Sequence, residues 1–307
     1  MWTPQVVYAL PKDGVAGAFQ MDIETWNGLG LPLAQDIVLC YVTLALVYFL
    51  TSGLGRSHDR WALTHELWWY PFSFVLVYYA AVGSFKLRAP VEARWKGTCD
   101  EAQTFMRLYV AAQVLAVPIE LLCEGPLSAK VPMLAHHCVS IFGYVVALAT
   151  RSGHWFCAAA GLSEVSTIFL EGVLLAKRAE VAAFVDAYAP WFLTLNGAML
   201  WLTYVVFRLV LFPALLAVFL YDKFRLKHPV TTYDQSPEAC IIVPLAVTFL
   251  FLLSLTWFAK IHKGFMTKVV AALVDGHQKH HHHPHHHGRK EQENCDQRTA
   301  PPHHDNG

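Results

Sequence analysis

Two histidines stand side by side, His136 and His137, in a stretch of sequence that is otherwise almost wholly apolar. An imidazole can act near neutral pH as a general base, a general acid or a nucleophile. Neighbouring residues on a helix point about 100° apart, so the two rings can border one cavity without occupying one spot. Ser140 and Tyr144 share the face of His136 at helical spacing. We therefore expect one polar face here, made of imidazole, hydroxyl and phenol.

A second polar stripe follows in the next apolar segment, which reads SEVSTIFLE from Ser163 to Glu171. Glu164, Thr167 and Glu171 fall on one helical face. A carboxylate that faces an imidazole across a helix interface would fix the histidine tautomer and raise its basicity. The pattern therefore makes His136, His137 and Glu164 candidate catalytic residues. Ser163, Thr167 and Glu171 become candidate cavity or supporting residues.

Arg208 lies in a later apolar run, and we expect it to be a counter-ion to one of the glutamates or to extend to a membrane interface. Ionisable side chains at bilayer depth cost roughly 2.5–3.5 kcal/mol each on insertion scales, so they usually face the interior of the protein and carry function. A structural alternative stays open for Ser140 and Thr167, since hydroxyls also join membrane helices by hydrogen bonds.

The elements that must position these residues are membrane helices. Hydrophobic residues make up 55% of the chain and charged residues 15%, against about 25% charged in a typical soluble domain. A span needs about 20 apolar residues. The sequence predicts an all-α bundle of about seven transmembrane helices around a lipid-accessible cavity. The predicted spans are 34–52, 67–85, 103–123, 131–149, 154–176, 190–221 and 239–260.

Two of these spans have features of their own. Trp68, Trp69 and Tyr70 open the second span, and such aromatic residues prefer the membrane–water interface. The run 190–221 is too long for a simple span, and we interpret it as one helix kinked at Pro213. The basic residues on the two sides nearly balance, so the membrane orientation stays open.

The chain divides into an N-terminal segment (1–33), a transmembrane domain (34–268) and a C-terminal tail (269–307). The tail contains the run GHQKHHHHPHHHGRK and has no apolar pattern to bury, so we expect disorder. Its histidines could bind transition metals loosely, but they encode no fixed geometry. We predict no structural metal site and no resident cofactor. The formal net charge is zero, which gives no indication of a nucleic-acid partner.

With these residues in view, the chain resembles the TLC domain family, the group named for TRAM, Lag and CLN proteins. The resemblance covers roughly residues 60–265. It depends on HHCVSI (His136 to Ile141) and on ExSTxFLE in the next span (Glu164 to Glu171). FRLVLFP (Phe207 to Pro213) and WFxKI (Trp257 to Ile261) agree with it.

This resemblance implies a protein of the endoplasmic reticulum or another endomembrane, with membrane lipids and an acyl-chain ligand as partners. Its ceramide synthase branch transfers an acyl group from acyl-CoA to a sphingoid base, and pairs the two histidines with an HDxxD-type motif. Here Glu164 retains the first acid in kind, but Ser163 stands at the motif's histidine and Thr167 at its second acid. The pattern is more similar to the family members that are not synthases and that are linked with lipid composition, sensing or trafficking.

Three function classes follow from these observations. The first is a lipid-handling protein that binds an acyl-chain lipid and influences membrane composition or homeostasis. The second is an acyltransferase of lipid metabolism, with acyl-CoA as co-substrate and His136 or His137 as base or acyl acceptor. The third is a transporter or channel, which the absence of a visible internal repeat disfavours.

Overall fold

The computed structural model describes the backbone of residues 23–53, 57–122 and 126–281, and these ranges contain helices and short connections but no strand. The all-α architecture is therefore confirmed for the described part of the chain. The helices are α1 (Ile23–Leu50), α2 (Ser57–Lys86), α3 (Val91–Lys96), α4 (Asp100–Leu122), α5 (Leu127–Thr150), α6 (His154–Gly161), α7 (Glu164–Ala176), α8 (Ala179–Tyr188), α9 (Trp191–Tyr204), α10 (Leu211–Tyr221) and α11 (Pro237–His281).

Within the described ranges, six helical segments are long and apolar enough to cross a membrane, and the chain is an integral multi-pass membrane protein. They are Gly28–Leu50, Val91–Leu122, Leu127–Thr150, His154–Ala176, Trp191–Leu226 and Pro237–Thr267. Helix α2, which contains the predicted span 67–85, has 30 residues but is not among the six. Its aromatic and polar residues lower its mean hydropathy. Of seven predicted spans, length and composition thus support six.

The tryptophans at the start of the second predicted span face the interior of the bundle. Trp68 and Trp69 are each only 5% exposed and belong to the apolar core between α1, α2, α4 and α5. The placement of Trp68, Trp69 and Tyr70 at a membrane interface stays a prediction. The indole N–H of Trp68 donates to the Thr43 hydroxyl of α1 over 2.9 Å. An indole whose single donor is satisfied by a neighbouring helix can be buried at no polar cost.

Helix α4 packs against α1, α2 and α5, so its residues reach the interior of the bundle. An ion pair between Arg107 of α4 and Asp36 of α1 joins these two helices over 2.9 Å. Close packing of α6 on α4 requires glycine at position 161, since a Cβ atom there would lie 2.1 Å from the Phe105 ring. Helix α4 is therefore positioned by contacts with α1, α2, α5 and α6.

The long run from Trp191 to Leu226 is one continuous helical run, which agrees with the single-helix interpretation. Its regularity is interrupted by a π-helical segment at Val205–Val210, directly before α10. Pro213 has no N–H, so the carbonyl group of Leu209 lacks its usual α-helical donor, and the wider π winding adjusts the chain at this point. Arg208 lies on this segment.

A second core joins α3 to α6, α10 and α11 around Trp95, which is fully buried. The Trp95 ring stacks on Phe219 and meets Phe156 edge-on. Asp222, also fully buried, accepts hydrogen bonds from Arg94 and from the Trp95 indole. The buried Asp222, which directly follows α10, thus binds the segment after α2 that contains α3.

The predicted boundaries of the transmembrane domain stay predictions, and two helices extend beyond them. Helix α1 begins at Ile23, inside the predicted N-terminal segment, and α11 continues to His281, inside the predicted tail. The remainder of both segments, residues 1–22 and 282–307, lies outside the described residues, and so does most of the histidine tract. A compact unit of the chain ends at Ile261, and a second one begins at His262.

Candidate functional site

The bundle encloses a cavity of about 600 Å³. It lies within the unit that ends at Ile261. Side chains from six helices or their immediate continuations form its walls. The lining residues that carry the following argument are Tyr109 and Gln113 of α4, His136 and His137 of α5, Glu164, Thr167 and Glu171 of α7, and Arg208.

Tyr109 stands between the first histidine and the first glutamate. Its hydroxyl donates to Glu164 Oε1 over 3.3 Å, and the hydroxyl oxygen of Tyr109 also lies 3.4 Å from His136 Nε2. All three side chains are at most 9% exposed. The expected direct pairing of imidazole and carboxylate is therefore replaced by a chain of three groups, with a phenol in the middle.

The contacts of Tyr109 favour one tautomer of His136. With the Tyr109 hydroxyl donating to Glu164, the tautomer that fits the chain has its proton on Nε2, which donates to the phenol oxygen. In that neutral ring, Nδ1 is an acceptor. This Nδ1 atom is buried and has no hydrogen-bond partner. His136 thus lines the cavity with one ring nitrogen that has no partner.

Arg208 fixes the other side of Glu164. Its guanidinium donates to Ser166 Oγ over 2.8 Å and to Thr167 Oγ1 over 3.0 Å, and it lies 3.9 Å from Glu164 Oε1. Arg208 is 6% exposed and Glu164 is 3% exposed. The sequence prediction that Arg208 is a counter-ion agrees with this geometry. The two hydroxyls keep the guanidinium oriented beside the carboxylate.

The cavity follows the helices. On α7 the lining residues run from Glu164 to Leu174, a distance of about 15 Å at the rise of an α-helix. Beyond the polar group around Tyr109, apolar side chains contribute to the walls, among them Ala116, Ile119, Met133, Leu170, Leu174 and Leu200. The cavity is long, and apolar side chains alternate with polar ones along its walls.

Charged residues lie toward the opposite end from Tyr109. Glu66 of α2 forms a double hydrogen bond with Arg178, which follows α7, at 2.6 and 2.9 Å. Lys260 of α11 is exposed, and Glu120 lies close to the end of α4. Glu120 is not among the residues predicted to form a site, but it lines the cavity in the structure.

Three predicted supporting residues do not line the cavity. Ser140, Tyr144 and Ser163 are all buried. The Tyr144 ring packs edge-on against Tyr109 at a centroid distance of 5.0 Å. The backbone carbonyl group of Ser163 accepts a hydrogen bond from Ser166 Oγ over 2.8 Å. Tyr144 and Ser163 therefore contact residues that line the cavity without lining it themselves.

Several lining residues were not among the predicted ones. Tyr109, Gln113, Trp257 and His65 all border the cavity, and the Trp257 ring meets His136 edge-on at 5.6 Å. Gln113 could have been noticed, because an amide in the middle of an apolar helix is unusual. Tyr109 gave no such signal among many tyrosines. Within the described ranges, no group of three or more metal-ligating side chains is arranged to hold a metal ion.

A family model described as TLC domain matches residues 35–263, which is most of the chain. The chain belongs to the TLC domain family. No curated protein and no solved structure gives a significant match. All the residues that line the cavity fall inside the matched TLC domain, so the cavity is a feature of the domain itself.

Proposed function

We propose that this TLC domain protein binds an acyl-chain lipid in the bundle cavity and acts in lipid handling, without chemical turnover of the lipid. The observation that carries the proposal is the cavity of about 600 Å³, whose lining combines apolar side chains with buried polar groups. Pockets for small molecules usually measure 300–1,000 Å³ and combine apolar walls with a few polar groups. An acyl chain would follow the apolar walls.

The geometry around Arg208 supports binding without turnover. Thr167 stands where the resemblance to the synthases places a second acid, and its hydroxyl accepts a hydrogen bond from Arg208. Ser163 stands where those enzymes have a histidine, and it does not line the cavity. These two positions therefore maintain the structure, and Glu164 is held by Arg208 and Tyr109.

Filling the cavity should remove the lipid. We expect Ala116→Phe, which places a ring in the lining of α4, to reduce the lipid retained after detergent purification by at least about fivefold, because buried ligand contacts are lost. Mass spectrometry of the extracted lipid measures the effect. Val114→Phe is the matched control, since Val114 is 39% exposed on the same helix and does not line the cavity.

Retention of the same amount of lipid by Ala116→Phe and Val114→Phe would show that the lipid sits elsewhere on the protein. A wild-type protein that carries no lipid and binds none would contradict the proposal more directly. Thermal unfolding of each variant distinguishes loss of lipid from loss of the fold.

A second candidate function is acyl transfer, and the chain from His136 through Tyr109 to Glu164 favours it. In that reaction an acyl group would pass from the sulfur of acyl-CoA to the amine nitrogen of a sphingoid base. The thiol of coenzyme A would leave, and an imidazole would take the amine proton. Incubation of the purified protein with labelled acyl-CoA and a sphingoid base tests this function. Product equal to that of a His136→Ala, His137→Ala double variant rules it out.

The proposed cellular site is the endoplasmic reticulum or a connected endomembrane, where membrane lipids are made and exchanged. The resemblance to the family supports this location. A fluorescent fusion imaged beside organelle markers tests it directly, and exclusive labelling of the plasma membrane would contradict it.

A further inference from the structure

Buried polar atoms without hydrogen-bond partners are concentrated in the residues that line the cavity. Native proteins leave few such atoms, because each costs about 1–3 kcal/mol. Among the side chains that the structure describes, eight buried nitrogen or oxygen atoms have no partner, and five of them belong to lining residues. The five are His65 Nε2, Gln113 Oε1, His136 Nδ1, His137 Nδ1 and Glu171 Oε2.

Four of these residues lie outside the hydrogen-bond chain that joins His136, Tyr109 and Glu164. Gln113 lies one turn after Tyr109 on α4, and Glu171 lies two turns after Glu164 on α7, about 6 and 10 Å along the respective helices. His137 and His65 belong to α5 and α2. Gln113, His137 and Glu171 are at most 8% exposed. We call Gln113, His137, Glu171 and His65 the inner polar belt.

Most of the unpartnered atoms whose role is defined are hydrogen-bond acceptors, so they need hydrogen-bond donors. Gln113 Oε1 and Glu171 Oε2 are oxygens with free lone pairs, and His136 Nδ1 is an acceptor by the hydrogen-bond chain through Tyr109. A hydroxyl group satisfies such atoms because it donates one hydrogen bond and accepts others. A phosphate or carboxylate has only acceptors and would leave them unsatisfied.

The charges point the same way. Four carboxylates line the cavity, namely Glu66, Glu120, Glu164 and Glu171, against the three cations Arg178, Arg208 and Lys260. Arg208 lies beside Glu164, and Arg178 binds Glu66. Because Arg208 and Arg178 already lie against carboxylates, an anionic headgroup would have to rely on Lys260, whose side chain is exposed.

We propose that the lipid held by the cavity is a neutral lipid with free hydroxyl groups, and that the inner polar belt is the subsite that binds those hydroxyls. This inference is based on the proposed lipid-binding function and specifies its ligand. The belt stands between the polar group at Tyr109 and the charged residues at the other end, so a hydroxyl-bearing headgroup can bridge two sets of hydrogen-bonding atoms.

Thermal shift of delipidated protein in detergent tests the ligand class. The probes are monoolein, which is neutral and carries two hydroxyls, sodium oleate, and a dioleoyl phosphatidic acid. We expect monoolein to raise the Tm of the wild type saturably, with smaller shifts for the two anionic probes. Gln113→Leu and Glu171→Leu should each weaken monoolein binding about tenfold, since each removes one buried hydrogen-bonding group.

Two further variants keep the result interpretable. Glu171→Gln preserves the volume and a carbonyl oxygen, so we expect it to bind monoolein more tightly than Glu171→Leu. Thr203→Val removes a buried hydroxyl that bonds only to its own helix and does not line the cavity, so monoolein binding should be unchanged.

Equal binding of monoolein by the wild type and both leucine variants would overturn the subsite. Stronger binding of oleate or phosphatidic acid than of monoolein would overturn the ligand class and would leave the lipid-binding function intact. A wild type that responds to none of the three probes and carries no lipid after purification would instead contradict the proposed function.

Discussion

Replacement of Arg208 by methionine is expected to lower the free energy of unfolding by about 3–5 kcal/mol, as measured for buried ion pairs that lose one partner. The variant leaves the buried Glu164 carboxylate without the guanidinium group that lies 3.9 Å from it in the wild type. It also deprives the Ser166 and Thr167 hydroxyls of their donor. Thermal unfolding in detergent micelles, followed by tryptophan fluorescence, should show a Tm lower by many degrees.

A second substitution separates charge from packing. Adding Glu164→Gln to Arg208→Met removes the uncompensated charge and should restore part of the stability, on the order of 1–3 kcal/mol. Arg88→Met is the control, since Arg88 is exposed and only covers the Phe85 ring. A double variant whose loss equals the sum of the two single losses would show that Arg208 and Glu164 do not interact.

The sequence predicts the membrane helices and most of the polar lining because both follow from local patterns. Apolar runs identify the spans, and charged or imidazole side chains within those runs are too costly to face lipid. Glu164, Thr167 and Glu171 share a face because of helical spacing alone, and all three line the cavity. Of the two alternatives for Arg208, the counter-ion of a glutamate is the one that its distance of 3.9 Å from Glu164 favours.

The role of Tyr109 could not be predicted in this way. Whether it reaches His136 or Glu164 depends on how far α4 is displaced along its axis against α5 and α7. That displacement is set by packing, for example by Phe105 against Gly161. A shift of one residue would turn the phenol away by about 100°. The local pattern therefore predicts a direct contact between imidazole and carboxylate, whereas the structure inserts a third group.

The burial of the two tryptophans has a related cause. Trp68 and Trp69 each carry an amphipathic side chain that suits a membrane interface and also suits a helix contact with an available acceptor. For Trp68 that acceptor is Thr43 on α1, and no pattern within α2 contains that information. The same residues lower the hydropathy of α2, which is why it is not among the six candidate spans.

The second large effect is expected far from the cavity. We predict that Asp222→Ala lowers the free energy of unfolding by about 3–5 kcal/mol, because it removes the common acceptor of a buried network. Arg94 donates to both oxygens of Asp222 at 2.9 and 2.5 Å, and the Trp95 indole donates at 3.1 Å. Asp222→Asn keeps an oxygen for Trp95 and loses the charged fork, so its effect should be intermediate.

Asp234→Ala is the matched control, since Asp234 is exposed in the same region and should change Tm by less than about 1 °C.

No residue of α3 lines the cavity, so the folded fraction of Asp222→Ala should retain as much lipid per molecule as the wild type. Less lipid per folded molecule would mean that the α3 network also shapes the cavity. An unchanged Tm would mean that the network adds no stability. A lower Tm with full lipid retention is expected, because Asp222 holds the folded loop while the polar groups at Tyr109 and Glu171 hold the ligand.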